Sequence, residues 1–211
     1  MTEFVEKIYE AVLAGDMQGA SKTVEEAIVA GIPADQILND GLIAAMSRVG
    51  YLFEIGEYFV PEMLIAARAM QGGLNLLRPK LVDAGVEPKG KVVIGTVKGD
   101  LHDIGKNLVS MMLEGSGFEV VDLGTDVAPQ DFIEAIKDGA DILGLSALLT
   151  TTMASMEMTI KEIEEVGLRD QVKIMIGGAP VTQDYADAIG ADGFASDANS
   201  AASVALRLVN K

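Results

Sequence analysis

The chain of 211 residues has no cysteine, no tryptophan, a single histidine and half as many basic residues (16) as acidic ones (32). Each shortage excludes something. Without cysteine there is no disulfide scaffold, no thiolate nucleophile and no cysteine-ligated metal cluster, which agrees with a reducing cytoplasm, where we place the protein. A formal charge of -16 sets the chain against phosphate backbones and anionic membranes, which are bound through clustered Lys and Arg. Neither nucleic acid nor a membrane is expected as a partner. No basic, apolar leader opens the chain, and no apolar run approaches the roughly 18 residues needed to span a bilayer. What is abundant is hydrophobic side chain, 49% of the total, enough to fill a core. The acidity suits a solvated surface, or one that docks on basic faces of protein partners. There is no low-complexity segment and no internal repeat.

Residues 1 to about 85 lack strand signals. Phe4, Val5, Ile8 and Val12 recur at helical spacing up to Gly15; Met17, Ala20, Val24, Ala27 and Ile28 repeat the pattern up to Gly31 and Pro33. A third helix is expected from Ala34 to about Phe53, with Ile37, Leu38, Leu42, Ala45, Met46 and Val49 on its apolar side. A fourth starts at Pro61, a residue suited to the first helical position. Four such helices with short connections predict an antiparallel four-helix bundle. Between the third and fourth, residues 49–61 place Leu52, Phe53, Phe59 and Val60 near Gly50 and Gly56. So apolar a connection either seals the bundle or forms a lid over a ligand.

The Gly-, Pro- and charge-containing stretch 83–90 ends the helical texture. It divides the chain into a helical domain, 1–87, and a second domain, 88–211. Beyond it, apolar runs at 91–97, 118–123, 141–149 and 172–176, and a short one at Gly193-Phe194-Ala195, are separated by helical patterns near 104–115, 129–138, 153–166 and 182–189. A last helix covers 198–209. The alternation predicts an α/β domain: a doubly wound, Rossmann- or flavodoxin-like parallel sheet of five strands with helices on both faces.

The strand exits are small and polar: Gly99-Asp100-Leu101-His102, Leu123-Gly124-Thr125, Ser146 through Thr152, and Gly177-Gly178-Ala179-Pro180. In open α/β sheets ligands bind outside the carboxyl ends of the strands, and Gly or Ser there lets a ligand approach the backbone, although each alone also suits an ordinary turn. A phosphate loop is excluded, because Gly99 and Gly105 have five residues between them instead of four, and Asn107 stands where Ser or Thr is needed. No Gly-x-Gly-x-x-Gly follows the first strand, so a dinucleotide is unsupported. A phospho-receiver site wants clustered acids and a lysine on the last strand; Asp100 stands alone and that lysine is missing.

His102 can be an ordinary surface or core residue. Asp100, two residues earlier, is nevertheless close enough to accept the Nδ1 proton, which fixes the tautomer and leaves Nε2 free for a metal. One histidine without cysteine cannot build a structural zinc site. A metal held by one protein ligand must bring its other ligands with it, as a macrocycle does.

Asp100-Leu101-His102-Asp103-Ile104-Gly105 reproduces the Asp-x-His-x-x-Gly signature of cobalamin-binding proteins. Ser146-Ala147-Leu148 matches their Ser-x-Leu element and Gly177-Gly178 their Gly-Gly element, in order and at the expected strand exits. The segment Val49-Gly50-x-Leu52-Phe53-x-x-Gly56-x-x-Phe59-Val60-Pro61-Glu62 looks like the cap of cobalamin-dependent methionine synthase. Over nearly its whole length the chain resembles the corrinoid methyl-carrier proteins of methyltransferase systems.

The resemblance implies that cobalamin or a related corrinoid binds with its own base displaced and His102 as lower axial ligand to cobalt. Asp100 orients His102, and Thr152 takes the place of a serine that continues this relay in the synthase. The nucleotide tail enters a slot lined by Ser146, Leu148, Gly177 and Gly178, near Gly193 and Ala195; Asp103, Ile104, Gly105 and Thr150 belong to the same site. Phe53 and Val60 fall where cap residues cover the upper face, and 83–90 is the hinge that lets the cap move. Protonation of the His–Asp pair is linked to reduction of the cobalt. The implied partners are a substrate-specific methyltransferase, an acceptor methyltransferase using a tetrahydropterin or a thiol, and a reductive activase; the carrier catalyses nothing alone. A cobalamin-dependent sensor is the alternative, disfavoured because no DNA-binding module or basic patch is present. A cofactor-free interaction domain leaves the three motifs unexplained.

Overall fold

A computed structural model describes residues 2–209. The chain divides into two compact units. One runs to Glu87 and includes Gly115–Gly117; the other comprises Pro88–Glu114 and the chain from Phe118 onward.

The first unit is a helical bundle. Helix α1 (Glu3–Leu13) buries Val5, Ile8 and Val12 completely, one side of a 3.6-residue period. Helix α2 (Met17–Val29) starts at Asp16, whose carboxylate accepts the Gly19 N–H at 2.9 Å, the usual way an N-cap satisfies a free helical donor. Ala20, Val24 and Ala27 are its buried stripe, whereas Met17 is half exposed because it lies in the first turn along Gly72 instead of under the helix.

The expected third helix has a change of pitch inside it. A turn of helix, α3 (Ala34–Gln36), passes into a π segment (Ile37–Ile43) and then into α4 (Ala44–Glu54). In a π segment residues five apart come into line, and Ile37 and Leu42 are both fully buried. Gly41 lies so close to α1 that a Cβ there would stand 3.1 Å from Ile8 Cγ2.

Helix α5 (Val60–Asp83) begins one residue before Pro61, which occupies its second position; the Phe59 N–H donates to Glu62 Oε2 at 3.0 Å. The connection between α4 and α5 is therefore shorter than the sequence pattern suggests. The Tyr58 hydroxyl ties it to the end of α1 by donating to the Leu13 carbonyl at 3.1 Å.

The second unit is built on five strands: β1 (Lys91–Thr96), β2 (Glu119–Asp122), β3 (Ile142–Ser146), β4 (Lys173–Gly177) and β5 (Gly193–Ala195). All are parallel, in the order β2-β1-β3-β4-β5. Alternate residues of each strand enter two different cores. Val93, Leu143, Leu145, Ile174 and Ile176 pack with residues of α7 (Pro129–Lys137), α8 (Met153–Glu165) and α9 (Gln183–Ala188). Val92, Ile142 and Met175 pack on the other face with α6 (Ile104–Glu114) and α10 (Ala198–Val209). Burial on both faces is what a parallel sheet with crossover helices requires, and it explains the unbroken apolar runs.

The strand order places β1 between β2, which follows it, and β3, which lies on its other side. The chain thus leaves β1 at the point where the order reverses, the position where such sheets open a crevice at their carboxyl ends. Among the described residues no helix is long and apolar enough to cross a membrane.

Candidate functional site

β1 ends at Thr96 and the chain turns at once. The Asp100 N–H donates to the Val97 carbonyl at 3.1 Å, with Gly99 at φ 86° in the third position, where a type II turn needs a residue that tolerates positive φ. This turn delivers Asp100 to the crevice between β1 and β3, where it is completely buried.

A buried carboxylate is costly unless every lone pair has a partner, and this one is fully supplied. Asp100 Oδ1 accepts from His102 Nδ1 at 2.7 Å and from the His102 backbone N–H at 3.1 Å. Oδ2 accepts from Thr152 Oγ1 at 2.7 Å and from the backbone N–H groups of Leu148 and Leu149 at 2.8 and 3.2 Å. The carboxylate spans the crevice, held by the exit of β1 on one side and that of β3 on the other. Burial alone would push the Asp100 carboxyl up. The hydrogen bonds from Thr152, from the side chain and backbone of His102 and from Leu148 outweigh it and hold Asp100 well below the usual carboxylate range.

An ionised Asp100 accepts only, so the proton on His102 is assigned to Nδ1, leaving Nε2 as the free ring nitrogen. The backbone of His102 is fixed at both ends, its N–H on Asp100 and its carbonyl by the fully buried Thr96 hydroxyl at 2.8 Å. The ring itself is half exposed, and Leu101, Leu148 and Leu149 of the two loops that bracket it, with Ile104 at the start of α6, are exposed apolar side chains.

The small residues of the strand ends fall in one line across the sheet. Thr96 pairs with Ser146, Ser146 with Gly177, and Gly177 with Ala195, so the Ser-x-Leu and Gly-Gly elements share a row. Gly178 brings the β4 exit against the β3 exit so closely that a Cβ would stand 1.9 Å from the Ala147 carbonyl oxygen. Gly193 lies two residues below the row, where it admits Val204 of α10.

Asp103, Ile104, Gly105 and Thr150 are exposed beside this cluster; Asp103 accepts the Asn107 N–H and so opens α6. Phe53 and Val60 belong to the first unit. There Phe53 is partly buried at the end of α4, while Val60 and Phe59 are exposed, so Phe59 and Val60 do not seal the bundle.

Several residues of the site escaped the sequence reading. Thr96, Leu149 and Asp126, whose N–H donates to the Asp100 carbonyl at 2.9 Å, carry no motif of their own. Lys106 is a buried cation in the first turn of α6, ion-paired with Asp122 at the end of β2 and 2.8 Å from Asn107 Oδ1. A lysine at a helix N-terminus opposes the helix dipole, a local conflict that could have marked it.

Among the described residues no group of three or more His, Asp or Glu is placed to hold a metal ion. One free imidazole nitrogen, a rim of exposed apolar side chains and a row of small residues leading away from it fit a metal that carries its own macrocycle and a trailing substituent.

Comparison with known proteins agrees with that fit. Residues 90–204 match the model of a B12 binding domain, and residues 5–78 match that of a second family also described as a B12 binding domain. Dimethylamine corrinoid protein 3 of Methanosarcina acetivorans is 46% identical over 205 residues, covering 96% of this chain and 95% of the relative. Trimethylamine corrinoid protein 1 of the same organism is 44% identical over 95% of this chain and 94% of its own. Among solved structures, a cobalamin-binding protein from Desulfitobacterium hafniense superposes with a TM-score of 0.80 at 32% identity, over 97% of this chain and 98% of that one. A chain of the methanol:cobalamin methyltransferase complex from Methanosarcina barkeri does so with a TM-score of 0.87 at 29% identity, over 99% and 80%.

Proposed function

Because the chain belongs to the corrinoid-protein family of B12-binding proteins, we propose that it carries a methyl group on its corrinoid from a substrate methyltransferase to an acceptor methyltransferase. In the same reading His102 Nε2 is the lower axial ligand of a corrinoid whose own base has been displaced. The observation that carries this is the half-exposed His102 ring committed through Nδ1 to a buried, multiply bonded Asp100.

When bound, the corrinoid supplies a cobalt centre that accepts and gives up methyl groups. The rest is done by the protein's own side chains. Asp100 fixes the imidazole tautomer and the orientation of the ring, as carboxylate partners of histidine ligands do. Thr152 and the Leu148 and Leu149 N–H groups keep Asp100 ionised and immobile. Ser146, Gly177 and Ala195 leave the row open for the nucleotide tail, with Leu148, Gly178 and Gly193 shaping the slot, and Asp103, Ile104, Gly105 and Thr150 border the ring. Phe53 and Val60 are assigned to corrin contact from the resemblance of their motif, as apolar side chains that exclude water.

The methyl donor is selected by the partner enzyme; relatives named for dimethylamine and trimethylamine make a methylamine the first donor to test. The acceptor is a tetrahydropterin or a thiol, and a reductive activase is the third partner. The test is transfer of labelled methyl from a donor methyltransferase onto the reconstituted protein and on to an acceptor. Corrinoid binding without transfer in either direction would remove the carrier role. A His102→Ala protein whose cobalt spectrum matched the wild type would remove the axial ligand.

A further inference from the structure

Asp126, in the loop after β2, is the one non-glycine among the described residues with a positive φ, at 55°. Its side chain is nearly half exposed, so no core requires it there. What it touches is the turn that carries Asp100. Its backbone N–H donates to the Asp100 carbonyl at 2.9 Å. Its Oδ1 accepts the Gly99 N–H at 2.8 Å, and its Oδ2 the Lys98 ammonium at 3.1 Å. Aspartate is one of the few residues that enters the left-handed region at modest cost.

We propose that Asp126 is a positioning residue for the Asp100–His102 pair, a clamp that grips the 97–100 turn from the β2 side and fixes the angle at which Asp100 meets the imidazole. The neighbours of Asp126 are already locked, since the Val127 N–H donates to the Thr96 carbonyl and the Thr96 N–H to the Gly124 carbonyl, both at 3.0 Å. The β2 exit is therefore a rigid base. With Asp126 in place, the Gly99 N–H and the Asp100 carbonyl both have partners on that base, and the Asp100 N–H is closed onto Val97. Without it the turn keeps its internal bond and the Ser155 hydroxyl on the Lys98 carbonyl at 2.9 Å, while the Lys98–Gly99 and Asp100–Leu101 peptides each lose a partner. The exposed Lys98–Asp126 ion pair contributes little by itself; the two backbone contacts are the clamp.

The functional sense of this inference rests on the proposed role of His102, but its test does not need the corrinoid. The single histidine makes the imidazole 15N and 1H spectrum of the labelled, corrinoid-free protein unambiguous. In Asp126→Ala, at fixed pH, the His102 Nδ1–H signal should move upfield and its exchange with water should quicken about tenfold as the bond to Asp100 opens more often. Asp126→Asn keeps the left-handed preference and the acceptor for Gly99, and should match the wild type. Lys98→Ala should also match it, and a change there as large as in Asp126→Ala would overturn the assignment to backbone contacts. An unchanged imidazole spectrum in Asp126→Ala, whatever its melting temperature, overturns the proposal. Should the alanine variant not fold, Asp126→Gly, which adopts the same φ freely and keeps the N–H donor, is read by the same criterion. If the spectrum changes as expected while His102→Ala leaves the cobalt spectrum of the loaded protein untouched, the clamp stands and the axial-ligand reading falls.

Discussion

Thr152 Oγ1 stands 2.7 Å from Asp100 Oδ2 and 2.9 Å from the carbonyl oxygen of Leu149, so one hydroxyl proton faces two acceptors. The ionised carboxylate is the stronger of them and takes it. The threonine methyl has its own place, since a Cβ on Gly99 would meet Thr152 Cγ2 at 3.6 Å.

The hydroxyl and the methyl can be separated. Thr152→Val keeps the shape and removes the donor; it should cost about 1–3 kcal/mol, because a buried charged acceptor loses its partner. Thr152→Ser keeps the donor and gives up one methyl, costing about 0.5–1.5 kcal/mol. Urea unfolding of the two variants decides, and a serine variant less stable than the valine one would mean that packing, and not the hydrogen bond, selects threonine.

Acid should find Asp100 late. Its carboxyl is held below the ordinary value of 3.8 in the folded protein. The stability it contributes is therefore fully present above that value, where folded and unfolded chains are both ionised, and is lost as pH falls from there toward its lowered folded value. The difference in unfolding free energy between wild type and Asp100→Asn should be constant from neutral pH down to about pH 5 and shrink below pH 4. A difference that keeps its full size at pH 2–3 would contradict the depressed carboxyl.

Gly178 has no room for any side chain. Its φ of 131° and the 1.9 Å between a built Cβ and the Ala147 carbonyl oxygen mean that Gly178→Ala must push the β4 exit off the β3 exit. Destabilisation of more than about 3 kcal/mol is expected, from strained φ and steric overlap together. Gly105, whose Cβ position is open, is the control: Gly105→Ala should leave the melting temperature of the corrinoid-free protein within about 2 °C.

The buried Lys106 ammonium and Asp122 form an asymmetric pair, with the lysine enclosed and the aspartate partly exposed. Removing the exposed partner is the more harmful change, because it strands a buried charge. Asp122→Ala should cost about 2–4 kcal/mol, whereas Lys106→Met, of similar volume and uncharged, should cost less. Chemical denaturation of both variants and of the double variant measures the coupling, and equal losses in the two single variants would refute the asymmetry.

Much of the fold was legible because burial on both faces of a parallel sheet writes itself as unbroken apolar runs. The same property blurred the strand ends. Residues 141–149 read as one run, yet β3 stops at Ser146, and Leu148 and Leu149 continue the apolar composition while turning their N–H groups to Asp100. In the helical unit, Ile37 and Leu42 both look like α-helical core residues, and the five-residue spacing that marks the π segment emerges only once α1 packs against it. Asp100 beside His102 was visible through their spacing along the chain, and Leu148 and Thr152 entered the site only through the family resemblance. The part supplied by Asp126, Thr96 and Lys106 was not visible, because it depends on side chains and peptide groups of loops meeting in space.

The partners of Asp100 Oδ2 lie 48, 49 and 52 residues further along the chain. Closing a loop of that length precedes any reward from the contacts it makes, and parallel pairings of this kind form slowly. As the chain emerges during synthesis, β1, its turn and His102 all exist before β3 does. In that interval Asp100 has nothing from β3 to face, and the imidazole is tethered to a carboxylate free to move. The histidine acquires its fixed direction when β3 docks beside β1, so a chain that presents an oriented imidazole has already completed the central pairing of its sheet.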